Sequence, residues 1–172
     1  TDDLERYVPT VFDDFVASIE LPSSAGGSPG DTMDLLLWDT AGQDDYDRLR
    51  QLSYPDTDVV LVCYAVDSPT SFENVTDKWI PELNHFCPGV PVILVALKID
   101  LLEDEKTIES LKSEGAEPVS VEKGRQKGYE INAVAFVECS SLLNENVNTV
   151  FTKAAEAALM NTKPKKRTCI LL

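Results

Sequence analysis

Val59-Val60-Leu61-Val62-Cys63-Tyr64-Ala65-Val66 and, further along, Val90-Pro91-Val92-Ile93-Leu94-Val95-Ala96-Leu97 are the two long apolar runs of the sequence. Rich in β-branched residues, they read as strands buried on both faces. Between them, Phe72, Val75, Trp79 and Leu83 recur at helical spacing over 71–86, with Ser68-Pro69 at the start. A strand, a helix and a second strand in this order make a crossover, and a crossover implies parallel pairing. A similar unit follows, from short helices within 105–130 to a strand over 135–139 and a helix over 145–160. Upstream, Val11 to Leu21 and Asp34 to Asp39 read as two strands. The segment joining them, Pro22 to Asp31, is long for a hairpin and rich in Gly and Ser, so a flexible linker is expected. Five strands with intervening helices predict a doubly wound, mostly parallel α/β sheet with helices on both faces. Ligands of such sheets bind beyond the carboxyl ends of the strands.

The 172 residues, 43% of them hydrophobic, suffice for one sizeable core and favour one domain. Asp and Glu number 30 against 15 Lys and Arg, for a net charge of −15. That balance argues against a nucleic-acid partner, which needs clustered cations. The last ten residues break the pattern, with Lys163, Lys165, Lys166 and Arg167 and no acidic residue. A basic tail on an acidic body suits an anionic lipid surface, although charge alone equally fits a solvated terminus. Cys63, Cys87, Cys139 and Cys169 are widely separated and His85 is the single histidine, a poor set for zinc or for a disulfide scaffold. Cys63, Cys87 and Cys139 lie in or beside apolar stretches and are expected to be small buried hydrophobes. No signal-peptide pattern and no membrane-spanning apolar run occurs, which makes the cytosol the default compartment.

The informative residues stand just after the strands. Asp39-Thr40-Ala41-Gly42-Gln43 follows the second, Lys98-Ile99-Asp100 the fourth and Ser140-Ser141-Leu142 the last. A carboxylate there can hold a cation through water, and a glycine lets backbone N–H groups approach phosphate. Taken singly, each is an ordinary turn. At the end of the chain, Cys169-Ile170-Leu171-Leu172 fits C-a-a-X, and a final leucine favours geranylgeranyl. One lipid chain anchors marginally, so the four neighbouring cations supply a second signal.

In order and spacing these segments resemble the small GTPases, whose D-x-x-G-Q, N/T-K-x-D and S-A-x motifs occupy the same loops. Tyr7-Val8-Pro9-Thr10-Val11-Phe12 resembles switch I of the Rho family, and Trp38 to Arg50 resembles its switch II. Ser68-Pro69, Ser71 to Val75 and Lys78-Trp79 are also similar to Rho proteins, as is an insert helix at about 105–118. The resemblance divides the chain into a GTPase domain over 1–162 and a prenylated basic tail over 163–172.

The resemblance implies a GTP/GDP switch that hydrolyses GTP with Mg²⁺ and relays signals to effectors, in actin organisation and cell polarity. Thr10 and, through water, Asp39 would hold the metal, and the Gly42 N–H would reach the γ-phosphate. Gln43 would orient the attacking water, with Thr10 and Gly42 completing the catalytic set. Tyr7, Lys98, Asp100, Ser140 and Ser141 would contact the nucleotide: Asp100 accepts from the guanine edge, the Lys98 stem covers the ring, and the Ser141 N–H meets the guanine oxygen. Exchange factors, GTPase-activating proteins, a dissociation inhibitor and effectors are the implied partners. Lipidation of Cys169 implies the cytoplasmic face of the plasma membrane or endomembranes, with a cytosolic pool.

Four departures from the family pattern stand out. G-x-x-x-x-G-K-S/T occurs nowhere in the 172 residues, so the phosphate-binding loop and the first strand are expected to be missing from the amino-terminal side. Asp3 stands where an aromatic is common, and Leu97 where Asn or Thr is usual. Ser141 replaces the usual alanine, but its backbone role survives the change. The alternative reading is therefore a Rho-like interaction protein deficient in nucleotide binding.

Overall fold

A computed structural model describes residues 11–21 and 31–161. Switch I up to Thr10, most of the Pro22–Asp31 linker and the whole basic tail lie outside the described residues. The chain divides into two units, residues 1–57 and 58–172.

In the first unit, β1 (Phe12–Glu20) and β2 (Thr32–Thr40) form an antiparallel pair whose register runs from Phe12 opposite Thr40 to Glu20 opposite Thr32. Alternation places Phe15, Ala17, Ile19, Met33, Leu35 and Leu37 on one face, where Leu35 is buried. The other face pairs Val16 with Leu36, sets the Phe12 and Trp38 rings 5.3 Å apart, and joins the Ser18 hydroxyl to Asp34 at 2.5 Å. A 3₁₀ turn at 44–46 and the short α1 (Asp47–Arg50) follow.

In the second unit, β3 (Val60–Ala65), β4 (Val92–Leu97) and β5 (Ala135–Glu138) form a parallel sheet with β4 in the centre. Ile93, Val95, Val137 and Cys139 face one way, against Val150, Ala154 and Ala157 of α6 (Val147–Asn161). Leu94 and Phe136 face the other way, against α5 (Val121–Glu130), whose Gly124 and Gly128 let the helix lie close to the sheet. The alternate direction of successive strand residues thus puts helices on both faces. Ile93 and Leu94 are fully buried, and each contributes about 2 kcal/mol of apolar burial.

The helix expected over 71–86 is one run from Pro69 to Phe86 with a change of winding: α2 (Pro69–Asn74), a π-turn over Val75–Trp79, and α3 (Ile80–Phe86). Pro81 explains the wide turn, because it offers no N–H to the carbonyl one turn back and the ladder shifts register just before it. Ser68 caps the start, accepting from the Ser71 N–H at 3.3 Å. In the insert, α4 spans Glu105–Ser113 behind the N-cap Asp104.

The described strands form an antiparallel pair in the first unit and a parallel trio in the second. One expectation is corrected. Cys63, expected inside, is exposed, whereas Cys87 and Cys139 are buried. Cys139 belongs to the cluster under α6, whereas Cys63, between the buried Val62 and Tyr64 of β3, takes the opposite face of the strand from theirs.

Candidate functional site

The residues that follow the strands form one cluster in each unit. In the first, β2 delivers Asp39 opposite Asp13 of β1, with both side chains exposed. Like charges directly opposite on a ladder repel, and a cation at this end of the hairpin would relieve them. Carboxylate oxygen suits a hard cation, which commonly uses one or two carboxylates and takes its remaining ligands from water and phosphate. Among the described residues no group of three or more His, Cys, Asp or Glu is placed to hold a metal unaided. Gly42 and Gln43 are exposed beyond the strand. Gln43 is extended, and its carbonyl accepts from the Tyr46 N–H at 3.1 Å, which starts the 3₁₀ turn.

Arg50 fixes this loop from behind. Its guanidinium is buried and donates to the Ala41 carbonyl at 2.9 Å and to Asp47 at 2.5 Å. A buried cation requires such partners, and here they tie the end of β2 to α1. Sequence reading quoted Arg50 without a role. Its one signal was Asp47 three residues earlier, a spacing that brings side chains together on a helix.

The second cluster stands at the carboxyl ends of β4 and β5. Lys98 adopts left-handed backbone, φ 60° and ψ 39°, a conformation that strains a residue with a Cβ and that accumulates at functional sites. The turn is held by the Ile99 N–H donating to the Cys139 carbonyl at 3.3 Å and the Leu101 N–H to Lys98 at 2.9 Å. It leaves the Lys98 side chain exposed and Asp100 half-buried. Ser140 is completely buried, and its hydroxyl donates to Asp100 Oδ1 at 2.5 Å. The Ser140 hydroxyl also accepts from the Leu143 N–H at 3.1 Å, while its backbone exchanges two hydrogen bonds with Glu145. The Ser140 hydroxyl thus fixes one carboxylate oxygen of Asp100 and leaves the other without a partner among the described residues. Ser141 is exposed on the turn that follows.

The structure thus brings Lys98, Asp100, Ser140 and Ser141 together, and places Asp39, Gly42 and Gln43 along one loop. Tyr7, Thr10 and Cys169 lie outside the described residues. A second residue missed by sequence reading is Asp67, whose carboxylate meets the Lys98 ammonium at 3.0 Å.

Residues 4–160 match the Ras family. The chain is 49% identical to the GTP-binding protein rho5 of Schizosaccharomyces pombe over 175 aligned residues, covering 98% of this chain and 84% of that protein. This chain is a Rho-type small GTPase of the Ras family. As a member it is a GTP-hydrolysing switch, and its parallel sheet with helices on both faces agrees with that fold. The GTPase carries its strand-end loops where α/β sheets receive their ligands.

Proposed function

We propose that Asp100 is the guanine acceptor of this GTPase. The observation that supports it is the buried Ser140 hydroxyl holding one oxygen of a half-buried, acceptor-only carboxylate. Guanine offers adjacent N–H donors there. Adenine would leave the carboxylate facing an unmatched edge, a mismatch that selects against it. The Lys98 stem covers the ring, and Tyr7, Ser140 and Ser141 complete the nucleotide site.

At the phosphate end, Thr10 and Asp39 hold Mg²⁺, the Gly42 N–H meets the γ-phosphate and Gln43 orients the attacking water. The bound metal supplies charge neutralisation at the phosphates. Loss of the γ-phosphate removes contacts from both switch segments, which changes the surface read by effectors. Exchange factors, GTPase-activating proteins and a dissociation inhibitor set the rates. Cys169 lipidation and the basic tail bring the GTPase to cytoplasmic membrane surfaces, where it acts in actin organisation and cell polarity.

Two variants test the assignment. Gln43→Leu is expected to slow hydrolysis with nearly unchanged nucleotide affinity, and Asp100→Ala to weaken affinity for GDP and GTP. Equal losses of affinity in both would refute the division of roles. Titration calorimetry with Mg²⁺-GTP and Mg²⁺-GDP measures both affinities directly.

A further inference from the structure

Asp67 stands at the first turn beyond β3, and its two carboxylate oxygens lie 3.3 and 3.0 Å from the Lys98 ammonium. Both backbones are fixed. The Val66 N–H donates to the Leu97 carbonyl at 3.1 Å, the Val119 N–H donates to the Val66 carbonyl at 2.9 Å, and the Ser68 N–H donates to Ala65 at 3.0 Å. The Ser71 hydroxyl closes the same turn, donating to the Ser68 carbonyl at 2.7 Å and accepting from the Ala65 N–H at 3.0 Å. The lysine end is set by the left-handed turn at Lys98 itself.

A lysine stem has four flexible carbons, and near a nucleotide its ammonium is drawn to the phosphates. A carboxylate held on the neighbouring loop opposes that pull and orders the stem before any ligand arrives. Ordering a side chain in advance reduces what binding must impose. From this geometry we infer that Asp67 is a positioning residue: it pins the Lys98 ammonium so that the alkyl stem stays over the base and does not swing toward the phosphates.

The inference rests on the nucleotide site proposed above, and the test separates the two. Binding of a fluorescent N-methylanthraniloyl GDP is measured for the full chain and for Asp67→Asn, Asp67→Glu, Lys98→Ala and the double variant Asp67→Asn/Lys98→Ala. Asp67→Asn is expected to weaken GDP by about three-fold, as for a partly exposed ion pair, and Asp67→Glu to restore most of the loss. The double variant is expected to be no weaker than Lys98→Ala, because the carboxylate acts only through the lysine. In the parent, the Lys98 ε-methylene NMR signals are expected to move upfield on GDP binding, from the ring current of the base, and to lose that shift in Asp67→Asn. A stable but merely structural Asp67 would leave the ring-current shift intact, and that result overturns the inference. So does an Asp67→Asn effect that adds fully to Lys98→Ala. Unchanged binding in Lys98→Ala, or no GDP binding by the parent, overturns instead the site reading beneath it.

Discussion

Tyr64 is almost completely buried, yet its hydroxyl has no hydrogen-bond partner among the described residues, and the same is true of Glu138 Oε2. Register brings them near one another, because Tyr64 and Glu138 flank Ala96 in one row across the sheet. Burial first, and the Glu138 charge second, push the Tyr64 hydroxyl well above the ordinary tyrosine range. An unmet buried donor is unfavourable, so Tyr64→Phe is expected to raise stability by about 1 kcal/mol in urea denaturation. On the same face, a Cβ at Gly124 would overlap the Tyr64 hydroxyl and approach Phe136 Cζ to 2.7 Å. Gly124→Ala should therefore lose about 2 kcal/mol, and less in the Tyr64→Phe background, where the nearest obstacle is gone. A loss of the same size in both backgrounds would show that the aromatic ring of Phe136 alone sets the limit.

Among the elements, α4 depends on one cap. Asp104 accepts from the Thr107 N–H and hydroxyl, each at 2.8 Å. The backbone bond first and the hydroxyl second hold the Asp104 carboxyl below the ordinary aspartate range. The sign follows: the cap's contribution is complete above the ordinary aspartate pKa and is lost as pH falls through the lowered folded value. The Thr107 amide shift should titrate with a midpoint below that of an unperturbed aspartate, and Asp104→Asn should abolish the titration while keeping the helix. A step that survives in Asp104→Asn would assign it to another group. Caps, apolar runs and strand-end motifs act over a few residues, which is why β3, β4 and the crossover helix were legible in the sequence. Arg50 gripping the Ala41 carbonyl and Asp67 meeting Lys98 were not, since each needs the register of separate segments. The π-turn was missed for a related reason: Phe72, Val75, Trp79 and Leu83 keep an apolar stripe whether or not the ladder shifts before Pro81. Cys63 misled because an uninterrupted apolar run does not reveal where one face of its strand is left uncovered.

For the whole molecule, the proposed lipid chain on Cys169 and the cationic tail would give two separable contributions to membrane attachment. Cys169→Ser should release the GTPase from membranes at any salt, because burial of the lipid chain is lost. Neutralising Lys163, Lys165, Lys166 and Arg167 should weaken binding chiefly to anionic vesicles at low ionic strength. Cosedimentation with vesicles of defined composition reads both, and a Cys169→Ser protein that still pellets without aggregating would require a different anchor. The central place of β4 has a consequence in time. Val60 pairs with Val92 and Ile93 with Ala135, so each parallel ladder joins segments separated by a complete helical crossover. Loop closure must precede any such contact, which makes parallel sheets slow to assemble. During synthesis, β4 leaves the ribosome with one neighbour made and the other still to come. The nascent chain therefore carries an apolar, half-paired strand until Ala135 to Glu138 have emerged, and that interval is when a chaperone has most to hold.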